Sequence, residues 1–359
     1  MEYKQRTVTC GQLRGSDEGK QVVLNGWVHR NRNHGGIHFI NVRDRYGITQ
    51  VVVGEQVAES VRSIAEALRI EFCIAVEGTV RRRPESMVNP DMETGEIEVD
   101  ASSLHILSRC EPLPFMIDEE TDAKEDLRLR YRYLDLRSGG MQKRIRLRHE
   151  FVRAIREHLS AKGFYEIETP TLIKSTPEGA RDFLVPSRLY PGKFYALPQS
   201  PQLLKQILMV GGFDKYFQIA RCYRDEDARG DRQLEFTQLD LEMSFVSRED
   251  VLLTMEDLFN DVFASVMNYK LPAHFKRLSW IDAMNTYGVD KPDLRYDLPL
   301  VDVGDIAKKT QFGAFQSVLA SGGSVKAIKA PATEALSYSR KYIGELEEAA
   351  KVYGATGLA

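Results

Sequence analysis

The sequence has little of what marks a secreted, membrane-embedded or metal-built protein. Its four cysteines, Cys10, Cys73, Cys110 and Cys222, lie far apart and form no Cys-x-x-Cys pair. That spacing gives neither a zinc site nor a disulfide framework, and it suits a reducing compartment. The opening Met-Glu-Tyr-Lys-Gln-Arg-Thr lacks an apolar signal core, and no hydrophobic run approaches membrane-spanning length. The expectation is a cytosolic (cytoplasmic) protein with no membrane partner. Neither sign of charge dominates: 49 Lys and Arg stand against 52 Asp and Glu, a formal net charge of -3. Nucleic-acid binding stays open, because basic groups can cluster on one face of an acidic protein. Internal repeats and low-complexity tracts are missing too. What is present is 359 residues, 43% hydrophobic and 28% charged, enough for two or three domains with their own cores.

The most informative stretch is Ala220–Phe245. It passes from a charged cluster through a polar loop at Gly230 into a strand. Strand alternation puts Phe236, Gln238, Asp240 and Glu242 on one face and Thr237, Leu239, Leu241 and Met243 on the other. The polar face therefore mixes an aromatic ring, two carboxylates and an amide. It follows Arg224-x-Glu226 and Arg232-x-x-x-Phe236. Guanidinium groups suit phosphates and carboxylates, an aromatic ring stacks a base, and a carboxylate meets an ammonium.

These residues resemble motif 2 of the class II aminoacyl-tRNA synthetases. Thr176-Pro-Glu-Gly-Ala-Arg-Asp182 and Leu197-Pro-Gln-Ser-Pro-Gln-Leu-Leu-Lys205 are similar to the substrate loop and amino-acid pocket of bacterial aspartyl-tRNA synthetases. The resemblance runs over essentially the whole chain. It implies activation of L-aspartate with ATP and Mg2+, then transfer to tRNA(Asp). By resemblance, Arg224 bridges the α-phosphate and the substrate carboxylate and is the catalytic residue. Asp225, Glu226, Arg232, Gln233 and Phe236 join Arg224 around ATP, with Phe236 stacking the adenine and Arg232 reaching the outer phosphates. No dedicated metal cage is read, since Mg2+ relies on phosphates and few carboxylates.

Aspartate needs a cation for its side chain and an anion for its ammonium. Lys205 lies three residues after Gln202, so both project from one face if that segment is helical. The assignment is Lys205 to the β-carboxylate, Gln202 and Asp240 to the ammonium end, and Ser200 in support. Glu178, beside Gly179, closes over the ammonium. Asparaginyl and lysyl relatives share the architecture, but an amide needs no cation and a lysine substrate needs carboxylates, so Lys205 argues against both. Neither a His-Ile-Gly-His nor a Lys-Met-Ser-Lys-Ser segment of class I synthetases occurs.

The expected fold class is α+β multidomain. Residues 1–108 read as an OB-fold barrel that binds the anticodon: strands Val22–Val28, His38–Val42, Ile48–Val53, Cys73–Val80 and Ile97–Val99, with a helix over Val57–Leu68. Candidate tRNA residues are Arg30, Arg32, His34, Phe39, Gln50, Arg81, Arg83 and Glu98, with Phe39 stacking a splayed base. Residues 109–140 are a hinge, with an acidic patch at Asp118–Asp122. There the basic-aromatic Arg128–Arg137 reads either as a nucleic-acid contact or as a helix packed between domains, and the resemblance favours the latter. Residues 141–294 are the N-terminal part of a catalytic antiparallel sheet flanked by helices. A helix over Lys143–Lys162, buried through Phe151, Val152, Ile155 and Leu159, leads into the strand Phe164–Thr169 and Pro170. The residues alone equally describe an ordinary helix and edge strand; the resemblance makes them motif 1, a homodimer interface.

Asp290–Arg295 resembles the entry to the insertion domain of bacterial aspartyl enzymes, so 295–359 is expected to be part of an α/β insertion. Nothing after Glu242 resembles motif 3, and the chain is expected to be the N-terminal portion of a longer enzyme, inactive by itself. His34 stands where many strictly aspartate-specific relatives carry leucine and where relatives that also charge tRNA(Asn) tend to carry histidine. A second family position near Glu85 and Ser86 is not clearly matched.

Overall fold

A computed structural model describes residues 4–118, 121–176, 178–227, 230–330 and 338–354. Pro177, part of the acidic patch and the end of the expected insertion segment lie outside the described residues. The described residues form two compact units, one reaching to Val251 with Leu258–Leu271, the other comprising Leu252–Asp257 and the residues from Pro272 onward.

The first unit begins with five strands, β1 (Gln21–His34), β2 (Ile37–Asp44), β3 (Gly47–Val53), β4 (Cys73–Arg82) and β5 (Ile97–Ser108), closed in the order β1-β2-β3-β5-β4. Antiparallel pairs make most of the ladder, and β3 joins β5 in parallel at Val51↔Val99. This is the expected OB topology, with helix α1 (Glu59–Ala67) between β3 and β4. Alternation fills the interior with Leu24, Val28, Ile40, Val42, Val51, Ile74 and their neighbours. The strand β1 is twice the expected length. Its first half pairs with β4 and its second half with β2, and a bulge between Val28 and Arg30 bends it from one neighbour to the other. Asn31–His34, expected as a loop, is therefore strand. The turn is only Gly35-Gly36, both at positive φ (61° and 88°), as a two-residue hairpin requires.

Two short helices, α2 (Glu125–Arg130) and α3 (Arg132–Asp135), follow. The buried Asp135 carboxylate accepts from Arg128 Nε at 2.8 Å and also from Arg132. Arg137 lies over the Trp27 ring at 4.7 Å and donates to Glu71 Oε2 at 3.0 Å, while Arg43 donates to Glu71 Oε1 at 2.7 Å. The basic groups of Arg128–Arg137 thus include three held by packing against their own unit.

Helix α4 (Gly139–Ala161) starts four residues before the expected Lys143. Gly139-Gly140 reads as a turn, but Ser138 caps the helix by accepting from Met141 N. Ile155 and Leu159 are buried as expected, whereas Phe151 and Val152 are only half-buried, Phe151 meeting Phe263 edge-on at 6.0 Å. The expected strand Phe164–Thr169 shrinks to β6 (Tyr165–Glu166), because Tyr165 and Glu166 alone are in register with β9. Beyond it come the hairpin β7 (Leu184–Pro186) and β8 (Phe194–Ala196), helix α5 (Gln202–Val210), and strands β9 (Lys215–Tyr223) and β10 (Glu235–Met243). The last two pair antiparallel and β6 joins β9 in parallel, so the sheet β10-β9-β6 is mixed where an antiparallel one is expected; among the described residues β10 is paired on one side only.

Helix α6 (Arg248–Met267) opens on a Ser247–Asp250 capping box. The second unit holds α7 (Trp280–Tyr287), β11 (Leu300–Asp302), α8 (Gly304–Ala307), α9 (Gly313–Ala320), β12 (Lys326–Ile328) and α10 (Arg340–Val352), with β11 and β12 antiparallel. No helix among the described residues is long and apolar enough to cross a membrane.

Candidate active site and nucleic-acid face

The register of β9 and β10 decides which side chains meet. Phe236 lies opposite Cys222, Gln238 opposite Ala220, Asp240 opposite Gln218 and Glu242 opposite Tyr216. Helix α5 lies against the polar face of β10 and points Lys205 into it. Lys205, 9% exposed, donates to Asp240 Oδ1 at 3.0 Å and to the Leu241 carbonyl at 3.4 Å, and lies 3.3 Å from Glu242. On the other face, Thr237 Oγ1 accepts from Arg148 of α4 at 3.0 Å. The alternation read from the sequence is the one the strand adopts.

Burial pushes the Asp240 carboxyl above its ordinary range, and the Lys205 ammonium pulls it partly back. Behind it, Tyr216 Oη donates to Gln218 Oε1 at 2.8 Å. The Cys222 thiol, raised by burial to about 11, stays neutral and donates to Gln238 Oε1 at 3.1 Å. Gln202 does not join Lys205 in the pocket. It is the first residue of α5 and its side chain is exposed, because the helix begins only after Pro201 and turns that position outward. Its backbone N–H meets Ser200 Oγ at 3.3 Å.

The β9–β10 loop supplies the nucleotide candidates. Arg224 lies over the Phe236 ring at 5.1 Å, a cation–π contact, with its backbone N–H on the Leu234 carbonyl at 2.8 Å. A cavity of about 450 Å³ is lined by Arg224, Glu226, Arg232, Gln233 and Phe236, with Asp227 and Asp231 at its rim. Asp225 faces a neighbouring cavity of about 710 Å³ that shares Glu226 and Arg232 and reaches Gly179 and Arg181. Glu178 accepts from Ser200 Oγ at 2.8 Å and from Thr176 Oγ1 at 3.1 Å. All the nucleotide candidates thus gather around two adjoining cavities, and Gly179, the residue after Glu178, lines the second of them. Among the described residues no group of three or more His, Cys, Asp or Glu side chains could enclose a metal ion.

On the barrel, Arg32, His34, Phe39, Gln50 and Arg83 share a cavity of about 300 Å³. The His34 ring meets Phe39 edge-on at 6.1 Å. Arg30, opposite Asn41 on β1, lies one strand step outside that cavity. Glu98 sits beneath it: its two carboxylate oxygens accept from Gln50 Nε2 and Arg81 Nε, both at 2.9 Å. The run Arg81-Arg82-Arg83 is not one patch. Arg81 turns to Glu98, Arg82 to Glu18, and Arg83 is buried. Arg83 Nε donates to the Ile97 carbonyl at 2.9 Å, while its Nη2 and the Asn41 Oδ1 are buried without a hydrogen-bond partner among the described residues. Sequence reading missed Asn41, Met87, Asn89 and Met92, which complete the wall. Single Met and Asn residues, whether on a strand like Asn41 or between strands, carry no signal of their own.

A closed five-stranded barrel followed by a sheet bearing these groups on and around its antiparallel β9–β10 pair defines a tRNA synthetase of the second class. Residues 124–341 match the family of class II tRNA synthetases for D, K and N, and residues 22–107 match the OB-fold nucleic acid binding domain. The chain belongs to that family. It is 62% identical over all 359 residues to the aspartate–tRNA(Asp/Asn) ligase of Treponema denticola, of which it covers 61%. Over 354 residues it is 49% identical to the aspartate–tRNA ligase of Macrococcus caseolyticus, covering 99% of this chain and 60% of that one. The chain thus spans about three-fifths of the length of these curated relatives. Among solved structures, the asparaginyl-tRNA synthetase of Pyrococcus horikoshii complexed with asparaginyl-adenylate matches with a TM-score of 0.68 and 27% identity, over 82% of this chain and 70% of that one.

Proposed function

We propose that the protein attaches L-aspartate to tRNA(Asp), and to tRNA(Asn), through an aspartyl-adenylate. The buried Lys205 facing Asp240 and Glu242 carries this reading. In the structure Lys205 pairs with both carboxylates, which leaves one net negative charge and Asp240 Oδ2 buried without a hydrogen-bond partner among the described residues. An aspartate can enter by exchange: its β-carboxylate takes Lys205, and its ammonium takes Asp240 and Glu178. A neutral asparagine side chain would leave Lys205 uncompensated, which burial penalises.

The α-carboxylate attacks the α-phosphorus of ATP and pyrophosphate leaves; the terminal ribose hydroxyl of tRNA then displaces AMP. Arg224 neutralises the charge developing on the α-phosphate, where a planar guanidinium can hold both reacting groups. Glu226 accepts from the adenine amino group, one face of Phe236 stacks the ring, and Arg232 holds the outer phosphates. Asp225 and Gln233 complete the ATP site. Mg2+ would be held chiefly by the nucleotide's phosphates, where it neutralises charge on the leaving pyrophosphate. The barrel cavity would take the anticodon, with Arg30 and Arg81 on the flanking backbone. Two copies would pair through α4 and the following strand in the cytoplasm.

Aspartate-dependent ATP–pyrophosphate exchange by the full-length protein tests the reading, with asparagine and lysine as controls. Exchange driven by asparagine or lysine in preference to aspartate overturns it.

A further inference from the structure

We propose that Gln199 is a positioning residue for aspartate, pinning the loop that carries Glu178. This rests on the aspartate-activating reading given above. Gln199 is 3% exposed, and its whole amide is spent on one loop. Its Oε1 accepts from Ala180 N at 3.1 Å, and its Nε2 donates to the Ala180 carbonyl at 2.8 Å and to Asp182 Oδ1 at 2.6 Å. A primary amide has two N–H donors, and both are used here. The amide cannot turn over, since the flipped group would set N–H against N–H and oxygen against both the carbonyl and the carboxylate. Gln199 therefore does for Ala180 what a neighbouring strand would do, satisfying both of its backbone groups.

The placement matters because of what lies on either side. Ser200, the next residue, donates to Glu178, so Gln199 and Ser200 hold the loop on both sides of Gly179. Gly179 has φ of +100° and nothing within 4 Å of where a Cβ would stand. The Arg181 carbonyl accepts from Asp225 N at 3.1 Å, which ties the pinned segment to the loop bearing Arg224. With Ala180 fixed, Gly179 is the one residue between the pin and Glu178, and its freedom can absorb the change as Glu178 passes from Ser200 to a substrate ammonium. Without the pin, Glu178 must be ordered by the substrate itself, and aspartate affinity falls while ATP affinity does not.

Gln199→Glu is the incisive variant: it keeps size and shape but turns a carboxylate oxygen onto the Ala180 carbonyl and Asp182. In the full-length protein it should raise KM for aspartate by about tenfold or more and leave KM for ATP within about twofold. Adding Asp182→Asn, whose amide can donate to the new carboxylate, should recover part of the loss. Independently of activity, hydrogen exchange at the Ala180 amide should be slow in the wild type and fast in Gln199→Ala. Equal exchange in the two proteins overturns the proposal. So does a KM for aspartate within about threefold of wild type in both variants, or a parallel rise for ATP that marks a general structural defect. A wild type that exchanges pyrophosphate with no amino-acid preference would instead defeat the functional reading and leave the Ala180 measurement to judge the pin.

Discussion

In the barrel cavity a buried cation, Arg83, keeps one guanidinium nitrogen unpartnered among the described residues; under β10 a buried cation, Lys205, is paired to Asp240 and Glu242. The frames that carry them also differ. The barrel closes on itself and needs no neighbour for its backbone, while β10 is paired on one side only among the described residues. A closed frame can hold an unsatisfied donor in place, because the ladder and core fix strand β4, which Arg83 directly follows. Because that nitrogen is buried, a base or phosphate oxygen would reach it only after a shift of the cavity wall, but would displace no internal partner. On the proposed function, a zwitterion of matching layout would replace the internal pairs of Lys205 in the sheet site. On that reading, recognition on the barrel would be addition and recognition on the sheet substitution of partners.

Breaking the exchange on the sheet should have the largest effect. In Lys205→Met the two carboxylates lose their cation and the substrate side chain finds none. Leaving one side of a desolvated pair unmatched costs about 3–5 kcal/mol, or roughly two to four decades in kcat/KM for aspartate. ATP binding, measured by equilibrium titration, should hardly change. Aspartate activation within a few-fold of wild type would remove Lys205 from the pocket.

On the barrel, Arg83→Leu removes the waiting donor. A hydrogen bond to a charged group contributes about 1.5–3 kcal/mol, so tRNA binding should weaken roughly tenfold to a hundredfold. Aspartate-dependent exchange without tRNA should be untouched, and a thermal melt must show the barrel still folded, since the Ile97 contact goes too. Equal loss of tRNA binding and of exchange would contradict the separation of the two sites.

The pH response sharpens the contrast more gently. Asp240 is raised by burial, so on acidification it takes up its proton before an ordinary aspartate would. Affinity for the substrate ammonium should therefore fade at a pH above the usual carboxylate range. Lys205→Met, which removes the partner holding the value down, should move that limb higher still. For stability the sign is opposite to that of a paired surface carboxylate: the folded protein binds this proton more tightly than the unfolded chain, so ionising Asp240 costs stability as pH rises through its raised value. A profile of KM for aspartate against pH that does not differ between wild type and Lys205→Met would count against the coupling.

Much of this was legible before any coordinates. The period of two in Phe236–Glu242 gave the working face of β10, and short β-branched runs with Gly-rich turns gave the barrel. Both are local signals. What stayed hidden depends on partners distant in sequence. Gln199 looks like any amide until Ala180 is placed beside it. Glu71 looks like a surface acid until Arg43 and Arg137 converge on it. Gln202 shares α5 with Lys205, but as the first residue of the helix it has no preceding turn to cover it and its side chain stays exposed. The early start of α4 was missed because two glycines outweigh one serine cap in propensity, although packing of the later turns decides the helix.

The smallest effect concerns His34, and it asks whether addition on the barrel is selective. His34 meets Phe39 edge-on at the rim of the cavity, next to Arg32. The ring pair helps to hold Phe39 where a base would stack, and the imidazole adds a polar edge that leucine lacks. His34→Leu removes both while keeping an apolar cover, so the cost should be near that of an aromatic pair, about 0.5–1.5 kcal/mol, or roughly two- to tenfold. If the histidine admits a second anticodon, the loss should fall mainly on tRNA(Asn), and charging of tRNA(Asp) should be nearly unchanged. The measurement is kcat/KM for aspartylation of the two purified tRNAs by wild type and variant of the full-length protein. A wild type that already prefers tRNA(Asp) by about a hundredfold, near 2.7 kcal/mol, would end the dual-tRNA reading. A variant that weakens on both tRNAs alike would make His34 a brace for Phe39 and not a selector.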